Sequence, residues 1–147
     1  MNTKEISKKE AGEFMLYVRL KLSALWIVYM FLYIYTDYYK MYMPGKINEM
    51  ISGFYSEIQI TQLSLFTLSA VTIIPALMIF LTLIIKERVN RWVNIIMGML
   101  HIGIGIMSIA AYSWTFWIFY CGLLICVAAL IVLVAWRWPK THVTGRA

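Results

Sequence analysis

Residues 92–136 of the chain read WVNIIMGMLHIGIGIMSIAAYSWTFWIFYCGLLICVAALIVLVAW, and none of them carries a formal charge. A bilayer core is crossed by ~20 apolar residues, so one straight helix of this length would be about twice too long. A turn near Ser113 has to divide the stretch, and the aromatic side chains around it are typical of a membrane interface. We predict two transmembrane helices here, over about 92–112 and 114–136.

Two further stretches nearer the N-terminus are apolar enough to cross a bilayer. Residues 58–85 are uncharged throughout. The earlier stretch has 15 uncharged residues, from Leu22 to Thr36, and it has to continue through Asp37 to reach the ~20 that a span needs. We predict spans over about 22–39 and 60–85.

The composition of the whole chain agrees with this interpretation. Of the 147 residues, 62% are apolar and 14% are charged, whereas soluble domains have ~25% charged residues. A soluble domain this small could not bury so much apolar surface, which excludes a soluble enzyme, a disordered chain and a disulfide-stabilised scaffold. We predict an all-α integral membrane protein, an antiparallel bundle of four transmembrane helices over residues 1–139, with a polar tail over 140–147.

Two segments outside the spans have helical patterns of their own. Residues 1–20 mix charged and apolar side chains, and Ser7 with Glu10 has the form of a capping box. We predict a short amphipathic helix lying at the interface and leading into the first span. In the loop between spans one and two, Pro44 and Gly45 predict a turn, followed by a helix of one or two turns with an apolar face.

The basic residues are distributed unevenly between the two sides of the predicted bundle. Of the 13, only Lys40 and Lys46 fall on the side opposite the termini. Because cytoplasmic loops carry the excess of Lys and Arg, both termini are expected in the cytoplasm. The same excess explains the net charge of +6 as an attraction to anionic lipid, with no nucleic-acid partner required.

Small and polar side chains recur every three or four residues along one face of the third span, which predicts that this helix packs centrally in the bundle. Pro75, in the second span, is expected to bend its helix, and Gly122 offers a small residue in the fourth. We expect close helix packing at Gly98, Gly105, Pro75 and Gly122. The candidates for binding or transport are His101, Asp37, Asn94, Tyr33, Tyr112 and Ser108.

Two of these candidates, His101 and Asp37, can carry a charge near neutral pH, and each has two interpretations. His101 lies near the bilayer centre, either as a neutral side chain bonded to a hydroxyl group of a neighbouring helix or as a functional residue. Asp37 lies near the outer interface. It either anchors the helix end by pairing with Lys40 or a tyrosine hydroxyl, or forms the outer station of a proton or cation path to His101.

The sequence lacks the common catalytic patterns. It has no paired carboxylates, no phosphate-binding loop and no metal-ligand cluster, and Cys121 and Cys126 are five residues apart, so they face different directions on a helix. We expect no metal and no cofactor. The favoured function is a non-enzymatic bundle that binds lipid, a small hydrophobic ligand or a partner membrane protein, including a second copy of the chain. The alternatives are a small transporter or channel, dimeric or not, that uses His101 and Asp37, and a membrane enzyme or redox protein that uses His101.

Short motifs are spread over residues 20–139: LSALW at 22–26, YTD at 35–37, NRWVNI at 90–95 and AWRW at 135–138. With Pro75, they resemble a family of small bacterial membrane proteins classed as a domain of unknown function. The resemblance implies a four-helix protein of the bacterial inner membrane with no assigned activity. Relatives often carry Asn at the position of Leu32 and an acidic residue at that of Ile73, so a transport mechanism that used those groups would be absent here.

Overall fold

The computed structural model describes residues 3–55, 58–111 and 113–138, with side chains from Gly12 onward. These residues form five helices and one two-stranded hairpin. In chain order the elements are α1 (Thr3–Lys40), α2 (Lys46–Ile51), β1 (Phe54–Tyr55), β2 (Ile58–Gln59), α3 (Gln62–Ile84), α4 (Glu87–Ala111) and α5 (Thr115–Trp136).

Four helices are long and apolar enough to cross a membrane, as the hydropathy pattern predicts. The qualifying segments are Gly12–Lys40, Gln62–Ile84, Glu87–Ala111 and Thr115–Trp136. The uncharged stretch of residues 92–136 is divided at Ser113 and Trp114, which lie between α4 and α5. The chain is therefore all-helical apart from one very short hairpin, with the composition of a multi-pass membrane protein.

The expected separate N-terminal helix is not observed, because α1 runs without interruption from Thr3 to Lys40. The segment contains no proline, and Gly12 is tolerated inside the helix. A break would also leave backbone groups without intrahelical partners at two new helix ends. The amphipathic segment and the first span are thus one rod of 38 residues.

The loop between the first two long helices contains the predicted turn and short helix and also an unpredicted hairpin. Gly45 has a φ of 84°, a left-handed conformation that suits glycine, and α2 follows it directly. β1 and β2 then pair antiparallel, with Phe54 opposite Gln59 and Tyr55 opposite Ile58. Strands of two residues have too little periodicity to be recognised in a sequence.

The long helices pack in the order α3, α1, α5, α4. Antiparallel packing of α1 against α3 brings Ser23 Oγ to the carbonyl of Ile79 at 2.9 Å, and α5 lies on the other side of α1. α4 runs antiparallel to α5, so Arg91 Nη2 lies 3.2 Å from the carbonyl of Trp136. We call this end of the bundle the terminal end, and the opposite end, which carries β1 and β2, the hairpin end.

The packing is tight in the middle of the bundle and open along α3. Leu22, Trp26 and Tyr29 of α1 are fully or almost fully buried, together with Ala128 and Ile131 of α5. In contrast, the half of α3 nearest the hairpin end is almost entirely exposed over residues 62–73. In the described part of the chain, the polar contacts between α3 and α4 lie only near the terminal end. They involve Thr82, Asn90 and Asn94.

Candidate functional site

A buried polar network joins three helices in the half of the bundle nearest the terminal end. Trp26 of α1 donates its indole N–H to Asn94 Oδ1 of α4 at 2.7 Å, and Thr82 Oγ1 of α3 lies 3.4 Å from the same oxygen. The amide nitrogen of Asn94 donates to the carbonyl and to Oδ1 of Asn90, at 2.9 and 2.7 Å. The amide of Asn90 in turn donates to the backbone carbonyl of Thr82.

This network satisfies its central side chain completely. The indole nitrogen can only donate, so the atom of Asn94 that faces it has to be the oxygen. Both donors and both acceptor positions of the Asn94 amide are then in use. Burying an amide group has a small free-energy cost when all its hydrogen bonds are formed, and the bonds fix the helices relative to one another. Asn94 therefore connects helices in the folded protein.

His101 lies about two turns beyond Asn94 along α4 and is also buried. Its Nδ1 is 2.8 Å from the carbonyl of Met97 in its own helix, which differs from the expected bond to a hydroxyl group of a neighbouring helix. The imidazole ring packs edge-on against two aromatic rings of α1, with centroids 5.5 Å from Trp26 and 5.1 Å from Tyr29. The position of His101 is therefore set by ring packing and one intrahelical hydrogen bond.

A second polar cluster lies at the hairpin end, where α1 finishes. Lys40 is only 4% exposed, and its ammonium group lies 4.2 Å from the ring centroid of Tyr55 and 5.1 Å from that of Trp117. The hydroxyl of Tyr55 reaches Asp37 Oδ1 at 3.5 Å. Aromatic faces attract a cation strongly when it is shielded from water, so Lys40, Asp37 and Tyr55 attach the hairpin to the end of the bundle.

The predicted site residues are distributed between these two clusters. Tyr33 is stacked on Tyr29 with centroids 6.4 Å apart, so two tyrosines separate the ring of His101 from Asp37. Ser108 contributes its backbone carbonyl, which accepts the indole N–H of Trp117 at 2.7 Å. Tyr112 lies outside the described residues.

The four residues expected at helix contacts behave differently from one another. A Cβ added to Gly98 would lie 2.6 Å from Val132 Cγ2, and one added to Gly105 would lie 2.7 Å from Ile125 Cγ1. α4 and α5 therefore approach closely at both glycines. Pro75 is buried inside α3, which continues through it. At Gly122 the expected close approach is absent, because an added Cβ would meet no atom within 4 Å.

Among the recesses that the described residues form on the surface of the bundle are two that His101 does not line. The first lies at the hairpin end, between the end of α1 and the start of α5, and has a volume of about 390 Å³. The second is a shallow groove of about 540 Å³ along α4 beside Gly103 and Ser108. We call the first the aromatic recess; its lining residues are Tyr39, Tyr42, Met43, Trp114, Phe116 and Tyr120.

Sequence reasoning assigned the aromatic residues around Ser113 to an interfacial belt and did not include Trp26, Asn90 or Thr82 among the candidate site residues. The spacing of Asn90 and Asn94, four residues apart at the start of an apolar helix, is the signal that could have found the polar network. Within the described residues, no three His, Cys, Asp or Glu side chains are grouped as metal ligands would be.

The match between the chain and known proteins lies at the level of the family. No curated protein and no solved structure is detectably similar to the chain. One family matches residues 13–145, which include the four long helices, the polar network and the aromatic recess. The chain therefore belongs to this family, which is described as a family of unknown function (DUF6326).

Proposed function

We propose that the protein is a non-enzymatic, multi-pass protein of the bacterial cytoplasmic membrane that binds a small hydrophobic or amphipathic molecule in the aromatic recess. The observation that carries the proposal is the contrast between the bundle centre and the hairpin end. Trp26 contacts both Asn94 and His101, and all three side chains are buried, whereas the aromatic recess has a volume of about 390 Å³. Pockets of ~300–1,000 Å³ lined by apolar and aromatic groups are typical of small-molecule sites.

The position of the aromatic recess supports an amphipathic ligand. It lies at the end of two candidate spans, where Tyr and Trp side chains concentrate at the boundary between hydrocarbon and water. A ligand there can place its apolar part along α1 and α5 and keep a polar group near water. Tyr39, Tyr42 and Tyr120 are lining residues that carry hydroxyl groups, and the hydroxyl of Tyr42 lies 2.6 Å from that of Tyr38.

The orientation belongs to the same proposal, with the terminal end in the cytoplasm. Arg19 and Arg91 both lie at this end, where they bond the backbone carbonyls of Leu83 and Trp136. Lys86 and Arg88 flank the short turn between α3 and α4 at the same end. The positive-inside rule then places the aromatic recess at the outer surface of the membrane.

Photolabelling of the intact protein in lipid nanodiscs tests the binding site. The probe is a fatty alcohol that carries a diazirine, with the labelled residues mapped by mass spectrometry. We expect labelling at the aromatic recess to saturate with probe concentration, whereas labelling of residues 63–71 of α3, which are almost all exposed, rises linearly, as for contact with bulk lipid. Linear labelling at both places would overturn the proposal.

A small transporter or channel is the second candidate, and one observation favours it. The rings of His101, Tyr29 and Tyr33 form a row that leads from the bundle centre towards Asp37. Proton flux into proteoliposomes that contain a pH-sensitive dye tests this candidate. Flux that Asp37→Asn abolishes, with the protein still folded, would support transport, and flux equal to that of empty liposomes would reject it.

A further inference from the structure

The lining of the aromatic recess has an unusual chemistry for a site that takes a purely apolar molecule. Five of its six lining residues are aromatic, and the sixth is Met43. None of the six carries a formal charge. An aliphatic ligand gains as much binding free energy from contact with Leu or Ile as from contact with Tyr or Trp. The face of an aromatic ring also carries partial negative charge, which an aliphatic ligand does not use.

The rings are arranged around the recess so that their faces are not all used against one another. Tyr39 pairs with Tyr120 at a centroid distance of 6.0 Å and an angle of 36°, and with Tyr42 at 6.4 Å and 47°. Trp114 and Phe116 are 6.3 Å apart and nearly edge-on, at 68°. None of these three pairs is a face-to-face stack, although Tyr39 also stacks on Tyr35 outside the recess, at 28°. Among the described residues, the other four rings have no stacked partner, so their faces can attract a positive group.

The neighbouring structure already contains an interaction of this kind. Lys40, next to Tyr39 in sequence, leaves water almost completely and lies over the rings of Tyr55 and Trp117. Asp37, one helical turn before Lys40, is close enough to interact with it electrostatically. The hairpin end therefore already holds a desolvated ammonium group on aromatic faces.

We propose that the aromatic recess binds an organic cation of the quaternary ammonium type, as a free ion or as the head group of a choline lipid. This inference rests on the proposed function, because it names the ligand class of the same site. A quaternary ammonium group is apolar in size and shape but positively charged, which matches a lining that has aromatic faces and no charged side chain.

The test compares choline with dimethylbutanol, its uncharged carbon isostere, by saturation-transfer NMR on the full chain in maltoside detergent. The detergent is uncharged, so choline is not concentrated by an anionic surface. Several ring faces acting together should make the dissociation constant of choline at least about fivefold lower than that of dimethylbutanol. Equal dissociation constants would overturn the inference.

Variants at Tyr42 separate a charge effect from simple contact. Tyr42 is 67% exposed, so its replacement does not disturb the core. Tyr42→Leu should weaken choline binding about three- to fivefold and leave dimethylbutanol unchanged, whereas Tyr42→Phe keeps the ring and the affinity. Phe31→Leu, an exposed aromatic change on α1 outside the recess, is the matched control and should change neither.

The outcomes distinguish this inference from the proposed function. If Tyr42→Leu weakens both ligands equally, the recess is an apolar site, and the inference fails while the proposed function stands. If neither ligand binds and photolabelling does not saturate at the recess, both fail. Displacement of choline by dihexanoyl phosphatidylcholine would identify the lipid head group as the source, and retention of choline would identify the free ion.

Discussion

Trp26 of α1 and Asn94 of α4 are joined by a hydrogen bond of 2.7 Å between two side chains that are both fully buried. The backbones of α1 and α4 make few direct contacts, because α4 packs mainly on α5, whereas α1 packs on α3 and α5. The bond therefore links two helices that otherwise make little contact. Thr82 of α3 adds a weaker contact to the same oxygen of Asn94.

Removing the acceptor and removing the donor should both destabilise the protein, for different reasons. Asn94→Leu leaves the indole N–H of Trp26 buried without a partner, and we expect a loss of about 1–3 kcal/mol in the free energy of unfolding. Trp26→Phe leaves no indole N–H unpaired, since Thr82 and Asn90 still bond the Asn94 amide, and its cost comes from the space that the smaller ring leaves in the core. Denaturant unfolding in detergent measures both. Because the residues are in contact, the double variant should lose less than the sum; strict additivity would contradict the coupling.

The two glycines at the α4–α5 contact should not tolerate a methyl group. Gly98→Ala places Cβ 2.6 Å from Val132 Cγ2 and 3.3 Å from the carbonyl of Ala128. Because the carbonyl of Ala128 belongs to the backbone of α5, it cannot move aside as the end of a side chain could. We expect a loss of about 1–3 kcal/mol in the free energy of unfolding.

Gly103→Ala is the matched control on the same helix, since an added Cβ there meets nothing within 4 Å. Because Ala has a higher helix propensity than Gly, the Gly103→Ala protein should be as stable as the unmodified protein, or more stable by up to about 1 kcal/mol. A Gly98→Ala protein as stable as the Gly103→Ala protein would show that α4 and α5 can separate at no cost.

The Lys40 ammonium should hold the hairpin in place. Lys40→Met keeps the apolar part of the side chain but removes the attraction to the rings of Tyr55 and Trp117. We expect hydrogen exchange at the Ile60 amide, which bonds the carbonyl of Gly53 at 2.8 Å, to become about five- to thirtyfold faster, as for a loss of ~1–2 kcal/mol.

The control for this experiment is Lys21→Met, because Lys21 is exposed and its ammonium lies 6.0 Å from the ring centroid of Tyr17. Exchange at Ile60 should not change in that variant. Equal exchange rates in the Lys40→Met and unmodified proteins would mean that the cation does not stabilise the hairpin.

The proposed orientation predicts opposite labelling of the two bundle ends. In a background with Cys121 and Cys126 replaced by Ala, Asn48→Cys in α2 should react with a membrane-impermeant maleimide on intact cells. Val89→Cys, near the terminal end, should react only after the membrane is permeabilised. The reverse pattern would place the termini outside the cytoplasm.

Periodicity predicted the helices and much of the buried face of α4, and it failed where distant segments meet. The spacing of Asn94, Gly98, His101 and Gly105 identifies a face that is buried in the structure, because a helix repeats every 3.6 residues whatever surrounds it. Lys40 follows no such rule, since its burial depends on Tyr55 from the hairpin and Trp117 from α5. The aromatic recess likewise forms from segments about 70 residues apart, and a one-dimensional pattern does not contain that proximity.

The position of α1 between α3 and α5 has a consequence for how the protein is made. α1 is synthesised before α4 and carries Trp26, whose acceptor Asn94 follows 68 residues later. Until then the indole has no partner from α4, and the face of α1 that α5 covers also stays open. Assembly of these helices therefore has to wait for α4 and α5, and a chain truncated before α4 would expose the inner face of α1 to lipid and to quality-control proteases.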